Sequence, residues 1–172
     1  MPDTAAAAVQ IPAAGTYRID PAASSLTFAT RHMFGLGAVK GSFRLVSGEI
    51  TIADPVTVSA ASAVIDAASF HTGSAARDKA VKSASFLHIA EHPQITFRST
   101  ELARDGGTWK LSGQITARGT TAPAELTVTE ARTDQDGPVI RATTRVDRYA
   151  HGITKNKGMA GRYLDLEITA RA

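Results

Sequence analysis

Apolar side chains recur at every second residue along most of this chain. An extended strand sends successive side chains to opposite faces, so this period gives each segment one dry face and one wet face. In SLTFAT (25–30) Leu26 and Phe28 share a face. In GSFRLVSGEITI (41–52) Phe43 and Leu45 share one, and Ile50 and Ile52 follow after a change of phase. Gly48 stands where a bulge could make that change. PVTVSAASAVID (55–66) sets Val56, Val58 and Ala60 against Thr57 and Ser59, after a turn at Asp54-Pro55. The second half repeats the theme with Ile95 and Phe97; Trp109, Leu111 and Ile115; Leu126 and Val128; Ile140, Ala142 and Val146; and Leu164, Leu166 and Ile168. Asp105-Gly106-Gly107 and Asp136-Gly137-Pro138 supply turns, since glycine takes positive φ without steric cost.

Eight strands with one apolar face each predict an all-β, antiparallel domain that either stacks as a sandwich or closes as a barrel. A closed eight-stranded barrel is just wide enough to be filled or to hold one slender ligand. The apolar faces therefore have two readings, a packed core or a tunnel wall. Small residues on or near them (Ala29, Ala60, Ala63, Ala142, Gly113) favour a cavity, because a filled interior needs more bulk per layer.

One segment breaks the alternation. SFHTGSAARDKAVKSASFLHIAEHPQITF (69–97) crowds three histidines and a basic cluster between two strands. Thr72-Gly73-Ser74 can cap a helix, and Ala76, Ala80 and Val81 follow at helical spacing. A helix of two to three turns, ending near residues 83–85, is predicted as a crossover beside the barrel mouth. Arg77 and Asp78 can be read as holding that helix to the rim, or Arg77 and Lys82 as facing an anionic head group; loop Arg-Asp pairs more often hold backbone.

Composition removes several chemistries. With 172 residues and no cysteine, the chain is one domain without disulfides, thiolate metal sites or a cysteine nucleophile. The net charge of +3 comes from 13 Arg and 6 Lys scattered along the chain, which argues against a nucleic-acid partner. Residues 1–15 read as a disordered tail before a domain spanning 16–172. They lack a basic n-region, and no segment has the length of a membrane span, so a cytoplasmic protein without stable membrane insertion is expected. No Gly-x-Ser-x-Gly elbow is present. Of the five histidines only His88 and His92 have helical i, i+4 spacing, and Pro93 favours extended backbone at His92, so no metal site is expected.

The blocks TYRIDPAASSLTFATRHMFGLGAVKGSF, SFHTGSAARDKAVKSASFLHIAEHPQITFRST, LSGQITARGTTAPAELTV and VDRYAHGI, in this order, resemble the YceI-like family of polyisoprenoid-binding proteins from about residue 17 to the end. Thr72, Arg77-Asp78, Lys82-Ser83, Phe86, Pro93, Ile95 and Phe97 to Ser99 carry the likeness, with Gly113 to Pro123 beside them. The resemblance implies an extended, lipocalin-like eight-stranded antiparallel barrel with an apolar tunnel for a polyprenyl chain or quinone tail. It implies no catalytic residue and no cofactor beyond that bound lipid. Three places depart from the family pattern. Ala80-Val81 stand where His-Leu is usual, Phe86-Leu87 where Phe-Phe is common, and Ala150-His151 replace an acid and an aromatic. A changed entrance or ligand follows.

The tunnel is expected to be lined by Phe28, Phe43, Val58, Phe86, Ile95, Phe97, Trp109, Leu111, Ile115, Val128, Ala142 and Leu166. The rim or head-group set is His32, Arg77, Asp78, Lys82, Arg118 and Arg148. The expected function is a non-enzymatic carrier or store of a hydrophobic ligand, with a homodimer kept as an option because related members pair. Two alternatives stand beside it: an enzyme using His32 or His151 as general base on an isoprenoid or quinone-like substrate, and a stress-response protein with a filled barrel acting through protein partners.

Overall fold

The computed structural model describes residues 9–32 and 36–172, without the side chain of His32. Nine strands and one α-helix run through them: β1 (Gly15–Arg18), β2 (Ser25–His32), β3 (Gly37–Ile52), β4 (Ala60–His71), α1 (Ala75–Lys82), β5 (Gln94–Asp105), β6 (Thr108–Ala117), β7 (Thr120–Asp134), β8 (Gly137–Asp147) and β9 (Tyr163–Arg171). Neighbours pair antiparallel in the order β1-β3-β2-β9-β8-β7-β6-β5-β4, and β4 returns to pair with β3. That last pairing closes the sheet, which decides for the barrel over the sandwich. The ring has eight strands, because β1 and β2 lie in line along the same edge of β3: Phe43 back to Gly37 faces β2, and Glu49 to Ile52 faces β1.

The phase change in β3 lies earlier than Gly48. Its register slips between Leu45 and Ser47, which turns Val46 outward and brings Ile50 and Ile52 inward. Gly48 serves a close approach instead, since a Cβ there would strike the Ile19 side chain. Gly113 likewise makes room for the Phe97 ring rather than for a ligand. The third predicted strand starts late. Val56–Val58 form a 3-10 turn and β4 begins at Ala60, so Val58 stands 63% exposed outside the barrel. Its assignment to the tunnel is corrected on that ground: alternation was extended through residues that are not in a strand.

The predicted helix is present as α1. Ser74 is its N-cap and its Oγ accepts from the Arg77 N–H, as a cap serine does for an otherwise unpaired first-turn donor. Residues 1–8 of the predicted tail lie outside the described residues. From Val9 the chain is built into the fold: Val9 bridges Ala131, the Gln10 N–H donates to the Ala131 carbonyl at 2.7 Å, and Pro12 is buried. Several arginines pair across the barrel surface: Arg132 with Glu130 and Asp134, Arg145 with Asp165, Arg162 with Asp147, and Arg171 with Asp134.

Candidate functional site

The barrel interior holds three apolar cavities among the described residues. The first, about 280 Å³, lies at the end covered by α1 and by the segment after β8; Phe28, Phe43, Phe70, Val81, Phe86 and Met159 are in its wall. The second, about 150 Å³, continues from it at the waist, with Ile65, Ile95, Phe97, Ile115, Ala142 and Leu166 in its wall. Phe43, Leu87, Arg148, Ile153 and Leu164 border both, so the two adjoin. The third, about 90 Å³, lies at the far end against Trp109, Leu111 and Val128 and is covered by Ile11 and Pro12. It shares no wall residue with the waist. A buried cluster of Ile19, Leu45, Ala63 and Ala170 packs between them, touching Ile65, Phe97 and Ile168 on one side and Ile50 on the other. All the expected tunnel residues except Val58 thus border a cavity, but Trp109, Leu111 and Val128 border a separate one. Alternation reports which way a side chain points and says nothing of its height along the barrel axis.

Three phenylalanines shape the mouth. Phe28 and Phe70 stack with centroids 5.2 Å apart, and Phe43 meets them at 5.6 and 5.5 Å. Such ring pairs hold a wall in place beyond the area they bury. Ala80 and Val81 of α1 complete the entrance, with Arg77 beside them.

Of the rim set, Arg77 and Arg148 border the cavities. Asp78 does not; it is buried, and its Oδ1 accepts from the Thr72 N–H at 3.0 Å and from the Thr72 hydroxyl at 2.6 Å. Those bonds, the Thr72 hydroxyl foremost, hold its carboxyl below the ordinary aspartate value against the opposing effect of burial, and His71 and Lys82 add to the lowering. Asp78 therefore ties α1 to the end of β4, whereas the Arg77 side chain borders the mouth. Arg118 donates from Nη2 to the Ala84 carbonyl at 2.7 Å and pins the crossover to the β6–β7 turn. Lys82 borders no cavity. The side chain of His32 lies outside the described residues. Because the folded value of Asp78 is depressed, its contribution to stability is complete above the unfolded aspartate value and is lost as the pH falls through the lower folded value. Asp78→Asn should lower the melting temperature at neutral pH and flatten its decline below about pH 4; a melting series over pH on both proteins checks this.

Arg148 is the buried cation of the site, 6% exposed. Nε donates to the Gly161 carbonyl at 2.8 Å, Nη1 to Ile153 at 2.9 Å and Nη2 to Ala160 at 3.2 Å. Burial pushes its guanidinium below the ordinary arginine value, while Tyr149 and Asp147 pull it back up.

The model of the YceI-like domain matches residues 17–172. The chain belongs to the YceI-like family. A UPF0312 protein of Vibrio cholerae serotype O1 is 31% identical over 176 residues, covering 95% of this chain and 91% of its own. A UPF0312 protein of Pectobacterium carotovorum is 36% identical over 107 residues, 59% of this chain; the match spans about half of that relative's length, 53%. Among solved structures, Burkholderia cenocepacia BcnA superposes with a TM-score of 0.77 at 18% identity, over 88% of this chain and 98% of its own. A polyisoprenoid binding domain from Saccharophagus degradans, implicated in plant cell wall breakdown, gives 0.63 at 15% identity, over 92% of this chain and 97% of its own. These likenesses establish the lipocalin-like YceI fold. No helix among the described residues is long and apolar enough to cross a membrane.

Of the positions at which the resemblance is imperfect, Ala80, Val81, Leu87 and His151 lie in cavity walls, whereas Ala150 is exposed and borders none. Ala80 and Val81 border the mouth, Leu87 borders mouth and waist, and His151 borders the waist. His151 is buried, with Nδ1 2.9 Å from the Thr120 carbonyl. A carbonyl only accepts, so Nδ1 carries a proton and donates it to Thr120. Several cavity residues were outside the expected set: Val39, Ile65, Phe70, Leu87, Ile153, Met159 and Ala160. Val39, Ile65 and Phe70 lie on strands whose alternation could have reported them. Ile153, Met159 and Ala160 lie in the irregular 152–162 segment, which has no period to read. Pro93 does not prevent His88 and His92 from meeting across one turn. The His92 N–H donates to the His88 carbonyl at 2.9 Å, closing one helical turn, and the rings meet edge to face at 5.8 Å.

Proposed function

We propose that this YceI-like chain binds one hydrophobic, isoprenoid-type molecule, a polyprenyl chain or a quinone tail, in its mouth and waist cavities as a carrier or store. The observation that carries the reading is the pair of adjoining apolar cavities opening beneath α1. Their combined space falls in the range of small-molecule sites, roughly 300–1,000 Å³. Water gains nothing from hydrogen bonding to such walls, so an apolar chain that displaces it gains roughly 25 cal/mol per Å² buried. The tail enters past Ala80 and Val81 and ends at the packed cluster of Ile19, Leu45, Ala63 and Ala170. A polar head group stays at the mouth, where Arg77 meets it. The name of the Saccharophagus neighbour, a polyisoprenoid binding domain, supports the ligand class.

Native mass spectrometry of the protein as purified from cells tests this directly. A stoichiometric isoprenoid mass on the chain is expected; a bare chain after gentle purification counts against a carrier. Of the two histidines considered as general base, His151 stands in the waist wall, so a catalytic reading rests on it. Turnover of a bound quinone that disappears in His151→Ala while binding is retained would overturn the carrier in favour of an enzyme.

A further inference from the structure

The crossover carries a second cluster, outside every cavity wall. One nitrogen from each of His88 and His92 and one carboxylate oxygen of Glu91 all lie within 4.8 Å of one another. Nδ1 of His88 is 3.9 Å from Oε2 of Glu91. We propose that His88, Glu91 and His92 bind one divalent transition-metal ion of the zinc, copper or nickel kind.

The backbone prepares the turn. The N–H groups of Glu91 and His92 both donate to the His88 carbonyl, at 3.2 and 2.9 Å, and the His88 N–H donates to Ser83 at 2.9 Å. His88 takes φ of 51°, which ends the preceding coil and starts this turn. The His92 ring lies against the β6–β7 turn so closely that a Cβ on Gly119 would stand 2.9 Å from it. Arg118 of that same turn also donates to the Ala84 carbonyl. Both imidazoles are therefore held on one pinned segment before any ion arrives.

The donor set decides the class. Two imidazoles and one carboxylate suit borderline ions, whereas calcium and magnesium take oxygen ligands. Bonds of about 2.1 Å in a tetrahedral arrangement put ligand atoms about 3.4 Å apart. The cluster must therefore contract by roughly an ångström. Glu91, with a side chain 70% exposed, can swing to do so. Three protein ligands leave a position for water. The turn directly follows Leu87, which borders both cavities, so the ion would stiffen the segment that forms that wall.

Calorimetric titration of ZnCl2 into the untagged full chain, stripped with chelator, tests the site. One saturable equivalent is expected, weakened at least about tenfold in His88→Ala and in His92→Ala and unchanged in His71→Ala, with MgCl2 giving no comparable binding. Melting curves establish that the variants remain folded. Cobalt(II) absorption in the visible region provides a second readout and should fade in His92→Ala. The proposal is overturned by the lack of a saturable zinc equivalent, by binding or cobalt bands that survive both histidine changes in folded protein, or by equal binding of magnesium.

Discussion

Ala142→Trp should abolish uptake of an isoprenoid tail past the mouth while the barrel stays folded. Ala142 is 4% exposed on β8, opposite Val128 of β7 and Ile168 of β9, with its methyl in the waist wall. An indole there occupies the space the tail needs. A tail stopped at the mouth loses roughly 100–150 Å² of buried apolar surface, about 3 kcal/mol, which is about a hundredfold in affinity. The ring itself costs about 1–3 kcal/mol of strain where it meets packed neighbours, and the existing cavity reduces that. Titration with a polyprenyl quinone, followed by native mass spectrometry, reads the loss. Val58→Trp is the matched control, because Val58 stands outside the barrel. Unchanged uptake in Ala142→Trp would show that the tail does not reach the waist.

The contrast between Ala142 and Val58 also shows what the sequence could and could not report. Period two separates inside from outside wherever a residue is truly in a strand, so Phe28, Ile95, Phe97, Ile115 and Leu166 were legible as interior. It failed at Val58, where three residues of 3-10 turn carry the same apolar spacing as a strand. Height along the axis was not legible at all, which is why Trp109 and Leu111 were grouped with a tunnel they do not border. The four-residue β1 is too short for a period to emerge. The crossover histidines were judged from the proline that follows them, but Pro93 restricts the backbone of His92 and not the carbonyl of His88 that closes the turn. Only the closed barrel shows that Ala80 and Val81 stand at the mouth, Leu87 at both cavities and His151 at the waist.

Arg148→Met should cost about 3–5 kcal/mol of stability, because it takes the donors from three carbonyl acceptors at about 1–3 kcal/mol each, less what water recovers. Arginine at a strand end reads in sequence as a rim residue. In the fold it is buried and reaches back to three carbonyls, Ile153, Ala160 and Gly161, that lie on both sides of the 152–162 segment. That segment has no sheet partner of its own over most of its length, yet Ile153, Asn156, Met159 and Ala160 form one side of the mouth. Methionine keeps much of the volume and removes every donor, leaving buried carbonyl oxygens unpaired at about 1–3 kcal/mol each unless the segment opens to water. The melting temperature should therefore fall by about 10 °C, and proteolysis should cut within 152–162 first. Lysine should not rescue it. An ammonium is a point donor, whereas the guanidinium presents a planar fork whose Nε, Nη1 and Nη2 face three different carbonyls at once. A melting temperature within about 2 °C of the original in Arg148→Met would mean that the segment holds itself. Arg148 would then be available to the head group rather than committed to the wall. If the loss is as large as the geometry implies, Arg148 acts on the ligand through the wall it builds, and the mouth of this barrel is assembled by one buried cation.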